Sequence, residues 1–378
     1  MAKIAIVGAG PAGASAGYHL AARGHAVTLI DRAAFPRPKT CGDWIPPGAV
    51  RELGRMGIDC AALERLAAGR TRIVGTVLTA PDGRVSNGPV RAPAYCVPRR
   101  VFDAILWRHA VAAGCTPLRR AVRALRPADD GLPGEFDHVI DARGAHAGEA
   151  NAVALRGYWT VPRDRLGADD AGAVRIHTDA RYRRGYGWIF PVHANANVVR
   201  FNVGVGLWKA DSTRGHSVAD YYARFVADDP TARRLHAAAA AIERPVGYHV
   251  ALARWRNAVA EDGVLRIGDA ANLADPLTGD GIANALKSGF LAAQAIDAAT
   301  SAPDAAARWQ RLCDDTFGAE LRTALVLRRL LTSTPAKNLA ARLLAGLPAL
   351  RTRLHGAIFG ETHYRALLAR HQLLARHH

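Results

Sequence analysis

Residues 4–31 read IAIVGAGPAGASAGYHLAARGHAVTLID, and their spacing decides the fold. Ile4, Ala5, Ile6 and Val7 form a short apolar run, followed at once by Gly8, Gly10 and Gly13 in a G-x-G-x-x-G array. Leu20, Ala21 and Arg23 continue a helical pattern, Gly24 stops it, and a second apolar run through Ile30 closes on Asp31. Strand, tight turn, helix and strand in that order make the first unit of a dinucleotide-binding fold. Gly8 permits the sharp turn, Gly10 lets the backbone approach a pyrophosphate, and Gly13 lets the helix pack close to the strand. Free N–H groups at the helix start favour phosphate, and Asp31 stands where a carboxylate accepts from ribose hydroxyls. The competing reading is a glycine-rich turn without a ligand. The strand, the helix and the acidic residue in the required order favour the dinucleotide.

The chain has 378 residues, 49% apolar and 22% charged, as expected of a globular protein with a sizeable core. No apolar run reaches the length of a bilayer span, and the N-terminus enters a strand at once, so neither a spanning helix nor a signal peptide is expected. Five cysteines, with no C-x-x-C, predict a reducing, cytoplasmic compartment and neither a disulfide frame nor a metal site. The formal charge of +17 suits an acidic partner, nucleic acid or an anionic membrane surface. No nucleic-acid module or aromatic-interleaved basic stripe is present, so nucleic acid is not an expected partner. Anionic cofactors in an Arg-rich chain are the plainer explanation.

Further along, prolines and Gly42 mark residues 36–46 as a loop, and an amphipathic helix runs from about 47 to Gly57. Strands are expected at 73–80 and 84–90 around Pro81-Asp82-Gly83. Val101, Ile105, Leu106 and Ala110 share one face of a helix stopped at Gly114, and residues 137–142 form a buried strand. Between about 152 and 253 the strand-like segments 174–177, 187–192 and 198–206 suggest an inserted antiparallel sheet. A strand at 264–267 and a long helix at 281–299 return to the first domain, and the chain beyond about 304 is helical and basic. The expected class is α/β. Residues 1–150 and 254–310 form a discontinuous nucleotide-binding domain, with part of the substrate sheet supplied by about 73–95. Residues 151–253 form a substrate domain and 311–378 a helical C-terminal segment.

Three more stretches join the glycine array: LRIGDAANLADPLTGDGIANALKSG at 265–289, Arg99-Arg100-Val101-Phe102-Asp103, and GYGWIFP at 185–191. Together they resemble the FAD-dependent oxidoreductases of the aromatic-hydroxylase (group A flavin monooxygenase) fold, and among them the geranylgeranyl reductase-like and flavin-dependent halogenase-like branch. The resemblance implies a Rossmann-type FAD-binding domain with an inserted antiparallel substrate sheet, and FAD held by Gly8, Gly10, Ala12, Gly13, Asp31, Arg32, Cys41, Gly42, Arg99, Gly268, Asp269, Pro276, Gly279, Gly281 and Ile282. Beside it, the residues have their own reading. Asp269, at the tip of a buried strand, suits a ribityl hydroxyl. Gly279 and Gly281 open a helix whose first N–H groups and dipole can face the ring edge where reduction develops negative charge. In the family an Arg of R-x-x-[FL]-D contacts the FAD phosphates; Arg99 carries that role over, Arg100 competes, and Asp103 pairs locally. Arg143 stands before Gly144 where the hydroxylases often have Asp, and suggests a phosphate-bearing reductant.

The resemblance also places a K-x-C-G segment beside the flavin, matched by Lys39, Cys41, Gly42 and Asp43. Lys39 is expected to lower the Cys41 pKa, making the thiol a proton donor; a small packing residue is the alternative. Tyr186, Trp188 and Phe190 alternate, hence share one strand face, and in the family this strand lines the substrate side. The expected catalytic residues are therefore Cys41, Tyr186, Trp188 and Phe190, against a plain core reading of the aromatics.

Three reactions follow. Hydroxylation of an electron-rich substrate through a flavin hydroperoxide is put first, because Arg181, Arg184, His193, Asn195, Asn197 and Arg200 suit a polar aromatic substrate. Reduction of a prenyl or other C=C bond is second, supported by Cys41 and GYGWIFP. Halogenation is third, since Tyr186 and Phe190 break the halogenase W-x-W-x-I-P and no carrier lysine is identifiable. NAD(P)H is the expected reductant, with a separate flavin reductase as the alternative. The substrate is a small molecule, free or bound to a carrier or protein. Leu327, Leu330, Leu331, Leu339, Leu343, Leu347 and Leu350 recur near helical spacing among arginines, with Pro335 dividing two helices. They are expected to cap the substrate cavity, with peripheral membrane contact as the alternative.

Overall fold

The computed structural model describes residues 1–368 apart from 68–69, 124, 126–131, 133–135, 181–184, 210–216, 256–258 and 262. The first sheet has six strands in the order Ala260–Glu261, Val264–Arg266, His138–Asp141, Lys3–Val7, Ala26–Asp31 and Thr116–Arg119. All pairings are parallel except the outer one between Ala260–Glu261 and Val264–Arg266. Lys3–Val7 lies near the centre, and Ile4 to Val7 are all buried, as the continuous apolar run requires of a strand covered on both faces. Helix α1 (Pro11–Ala21) follows it, α2 (Arg99–Ala112) and α3 (Ile282–Asp297) lie beside α1, and the Ser15 hydroxyl donates to the Leu286 carbonyl at 2.7 Å.

The turn obeys the glycine logic. Gly8 has φ +106°, and a Cβ there would stand 2.2 Å from the Ala142 carbonyl oxygen. A Cβ on Gly13 would stand 1.8 Å from the Gly8 carbonyl oxygen, so α1 can start where it does only without one.

The second sheet runs in the order Ala241–Ile242, Ala152–Pro162, Val198–Trp208, Gly185–Ala194, Ala173–His177, Gly75–Thr79 and Val85–Pro89, and Val246–Val250 also pairs with Ala152–Pro162. The sheet is antiparallel except where Ala173–His177 lies parallel to Gly75–Thr79. This departs from a purely antiparallel insertion. Gly75–Thr79 is contributed by an earlier part of the chain, so no hairpin imposes the antiparallel sense. Alternation sorts the two faces. Trp159, Phe201 and Val203 pack with Tyr221 and Phe225 of helix Val218–Asp228, while Tyr158, Trp188 and Phe190 belong to another cluster with Trp44, Ile176 and Phe359.

After helix Ala302–Cys313 a π-helical turn at Asp314–Gly318 leads into α4 (Ala319–Leu330). Then come α5 (Thr334–Gly346) and α6 (Pro348–Ile358). Pro335 starts α5 as expected. Pro348 makes a second break, because proline is tolerated in a first turn and not in a helix interior. Both helices contact strand Val85–Pro89. Buried His355 fastens α6 there, its ring nitrogens 2.7 Å from the Thr76 hydroxyl and 2.9 Å from the Ser86 hydroxyl.

Candidate active site

A cavity of about 1510 Å³ is lined by residues of both sheets and of the C-terminal helices. One end is the glycine turn. Gly8, Gly10, Ala12, Asp31, Arg32, Cys41, Gly42, Arg99, Asp269, Pro276, Gly279, Gly281 and Ile282 all line it, as do Tyr186, Trp188 and Phe190. Gly13 and Gly268 do not; they stand behind the wall, where a Cβ on Gly268 would come within 2.9 Å of the Ala12 Cβ.

This end is shaped for a dinucleotide. The α1 N-cap is Gly10, with no side chain capping its N–H groups. The nearest side-chain atom to a Cβ on Gly10 would be Arg37 Nη2 at 3.5 Å, so a guanidinium overhangs the anion-binding turn. Arg37 also pairs with Asp31 at 3.5 Å and Asp103 at 3.2 Å. Asp31 accepts from the Ala9 and Ala33 N–H groups, both at 2.9 Å, which fixes its carboxylate at the strand end. Arg99 is buried and forked onto Asp103 at 2.6 and 2.9 Å, while Arg100 is exposed. Asp103 therefore does pair locally. Arg37 was not singled out from sequence; the signal lay in its place inside the proline loop, where it reads as solvated. Arg143 is forked onto Asp141 at 2.8 and 2.9 Å and donates to the Arg123 carbonyl at 2.6 Å, so its charge is already matched.

At the second motif the first N–H groups of α3 are not all free. Ile282 N–H donates to Asp280 at 3.1 Å. Burial raises the Asp280 carboxyl to about 7, opposed by that backbone N–H. A Cβ on Gly281 would stand 3.0 Å from Asp269 Oδ1, so the chain passes close over that carboxylate.

The middle of the cavity is the Cys41 loop facing the aromatic strand. Trp188 lies 6.1 Å from Tyr186 and 6.3 Å from Phe190 by ring centroids, and the Tyr186 hydroxyl donates to the Thr278 carbonyl. A Cβ on Gly42 would stand 3.1 Å from the Phe190 ring. Behind the loop lies a buried network absent from the sequence reading. Asp43, fully buried at φ +65°, accepts from Tyr158 at 2.6 Å, Asn202 at 2.8 Å and the Arg99 N–H at 3.0 Å. Asn202 also donates to the Cys41 carbonyl at 2.6 Å and accepts from the Trp188 indole at 2.9 Å. The thiol loop and the aromatic strand are thus locked to one another. A polar Asn between Phe201 and Val203 in an apolar strand was the available signal.

The expected lowering of the Cys41 pKa is not what the structure holds. Burial pushes the thiol up, Arg99 opposes this and Asp43 adds to it. Lys39 is turned onto the Tyr248 ring, its Nζ 3.2 Å from the centroid. Desolvation outweighs the nearby cations, so Cys41 is a protonated thiol at neutral pH.

The other end of the cavity is apolar with a basic rim. Trp44, Leu78, Ile176, Leu344, Leu354, Ile358 and Phe359 line it, with Arg84, Lys337 and Arg351. His193, Asn195, Asn197 and Arg200 do not line it; Asn195 and Asn197 are exposed and Arg200 pairs with Glu243. Arg181, Arg183 and Arg184 lie outside the described residues.

A family model described as an FAD binding domain matches residues 1–142. The menaquinone reductase of Mycobacterium tuberculosis is 31% identical over 404 residues, covering 92% of this chain and 91% of that protein. The digeranylgeranylglycerophospholipid reductase of Methanoculleus marisnigri is 31% identical over 331 residues, covering 80% and 78%. Among solved structures, a geranylgeranyl bacteriochlorophyll reductase-like protein of Thermoplasma acidophilum superposes with a TM-score of 0.74 at 19% identity, over 95% of this chain and 96% of that one. A flavin-dependent brominase superposes at 0.73 and 19%, over 97% of each. On the two sheets, the glycine turn and the full-length similarity to these reductases, the chain belongs to the FAD-dependent oxidoreductases of the aromatic-hydroxylase fold, in their geranylgeranyl reductase-like branch.

Proposed function

We propose that this oxidoreductase reduces a C=C bond of an oily, isoprenoid-type substrate. The observation that carries the reading is the division of the cavity: a protonated Cys41 thiol sits between a dinucleotide cradle and an apolar chamber. Of the polar side chains that put hydroxylation first, His193, Asn195, Asn197 and Arg200 do not line the cavity, which weakens the reason for that order. The two relatives at 31% identity are both named reductases, which supports the same choice.

The residues present fit FAD: a phosphate turn under Arg37, a fixed Asp31, and Asp269 below the start of α3. When bound, FAD supplies the hydride. Trp188 and Phe190 present flat apolar faces that hold a planar alkene and exclude water. Cys41 holds the proton that completes the reduction at the other alkene carbon, and the Asp43–Asn202 network fixes its backbone. The basic rim and exposed leucines of α5 suit a substrate taken from a lipid surface, reduced with NAD(P)H or a separate flavin reductase as electron source.

The test is an anaerobic assay with dithionite-reduced protein and a polyprenyl substrate. Saturation of one C=C bond per flavin without oxygen is expected. Oxygen-dependent insertion of a hydroxyl group, with no anaerobic product, would restore the monooxygenase.

A further inference from the structure

Arg156 is a charged side chain the site does not yet use. It belongs to strand Ala152–Pro162, is 9% exposed and lines the cavity. Its guanidinium carbon lies 4.0 Å from the Tyr158 ring centroid, and its Nε is enclosed without a hydrogen-bond partner. Among the described residues no carboxylate lies within ion-pair distance of it. Asp43 attracts it from further off, but the Asp43 oxygens are taken by Tyr158, Asn202 and the Arg99 N–H. A buried guanidinium without a matched anion is costly.

A second cation stands nearby. Arg156 faces Val246 across the strand pair, and Tyr248, two residues on, faces Ala154. Lys39 lies on the Tyr248 ring, is itself free of any carboxylate within ion-pair distance among the described residues, and also lines the cavity. The contrast with Arg37, Arg99 and Arg143 is direct, since each of those is forked or paired onto Asp.

We propose that Arg156, flanked by Lys39, is an anion site that takes a phosphate-bearing part of a ligand other than FAD. The FAD phosphates would take the turn at Gly10 under Arg37, on the other sheet, and Lys39, which feels the charges of Arg99 and Asp269, borders that end. The chemistry is a phosphate or diphosphate monoanion or dianion, desolvated against Tyr248 and met by the buried Arg156 and the half-buried Lys39. Burial and Arg99 lower the Lys39 pKa to about 8, and an anion beside it favours the charged form. Such an anion has two sources: the headgroup of the prenyl substrate, which rests on the function proposed above, or the phosphates of a nicotinamide reductant, which does not.

The full chain, saturated with FAD so that the Gly10 turn is filled, would be titrated with inorganic pyrophosphate while flavin absorbance and fluorescence are followed. Arg156→Met should weaken pyrophosphate at least ten-fold and Arg156→Lys by no more than about three-fold. Two further titrations assign the source. Weaker binding of a prenyl diphosphate with unchanged binding of the matching prenyl alcohol places the substrate headgroup here; slower flavin reduction by NADPH and NADH places the reductant here. Unchanged pyrophosphate affinity in Arg156→Met, or no pyrophosphate binding to the wild type at millimolar concentration, overturns the proposal. If Arg156→Met fails to fold, Lys39→Met is judged by the same ten-fold criterion. The pyrophosphate readout needs no turnover, so a chain that reduces no alkene at all still decides it.

Discussion

The two ends of the cavity handle charge in opposite ways. At the nucleotide end Arg37, Arg99 and Arg143 are each tied to Asp, and Asp31 and Asp141 are held by backbone N–H groups. At the helical end residues 321–353 contain seven Lys or Arg and no Asp or Glu, and Leu330, Leu339, Leu343 and Leu347 remain 63, 56, 46 and 49% exposed. One end is finished before any ligand arrives, whereas the other leaves apolar and cationic surface uncovered. Preorganisation at the first end serves one invariant cofactor. On the function proposed above, the second end is the one that would receive the substrate.

The thiol between the two ends should give the largest effect. Cys41→Ser should keep FAD affinity and flavin reduction, yet lower substrate turnover by ~10²–10⁴-fold, the usual cost of removing a positioned acid. Because burial raises the thiol pKa, turnover should stay flat through neutral pH and fall only at alkaline pH, as the thiol ionises. Single-turnover kinetics on pre-reduced protein read this step. A variant within a few-fold of wild type, or a rate that rises with thiolate formation, would remove Cys41 as the acid and return the hydroxylation reading.

At the nucleotide end the expected loss is smaller. Asp269→Ala should weaken FAD by about 5- to 150-fold, from roughly 1–3 kcal/mol for a lost buried acceptor. Equilibrium dialysis against released flavin would measure it. An unchanged dissociation constant would mean that Asp269 only supports the close passage of Gly281.

How legible each end was follows the same division. The nucleotide end was written in local sequence: Gly8 to Asp31 is one contiguous motif, and an apolar run beside a glycine array leaves little choice of fold. The alternation of Tyr186, Trp188 and Phe190 likewise fixed a face. What escaped was long-range. Asp43 meets Asn202 and Tyr158, more than a hundred residues away, and no period in the sequence links them. The polarity of residues 181–200 was read as the lining of a site, but a strand also has an outer face and a hairpin tip, and Asn195 and Asn197 occupy the tip. The sign of the Cys41 shift failed for a related reason. The Lys39 ammonium lies on an aromatic ring, and burial of the thiol outweighs the cations around it.

The helical end gives the smallest and most selective effect. The C-terminal helices do cover the cavity, since Lys337, Ala340, Ala341 and Leu344 of α5 line it. Yet the outer face of the same helix carries Leu339 and Leu343 at helical spacing, with Leu347 just past its end, and all three are exposed. A cap explains only the inner face. If the outer face rests on a bilayer, each leucine transfers part of its apolar surface from water to lipid, about 1.5 kcal/mol or roughly ten-fold in partitioning. Leu343→Gln should then lower sedimentation with vesicles containing anionic lipid about ten-fold. Because Leu343 is 46% exposed and belongs to none of the buried clusters, unfolding free energy should change by less than about 1 kcal/mol. Neutral vesicles should bind wild type weakly, because each basic residue near the surface contributes about 1 kcal/mol only where the lipid is anionic. Equal sedimentation with both kinds of vesicle would make the arginines irrelevant to docking. A Leu343→Gln protein that sediments like wild type would leave the stripe as no more than the back of a lid. If the variant instead turned a dimer into a monomer, the surface would be a contact between two copies of the chain, and the contrast between the ends would belong to assembly rather than to substrate entry.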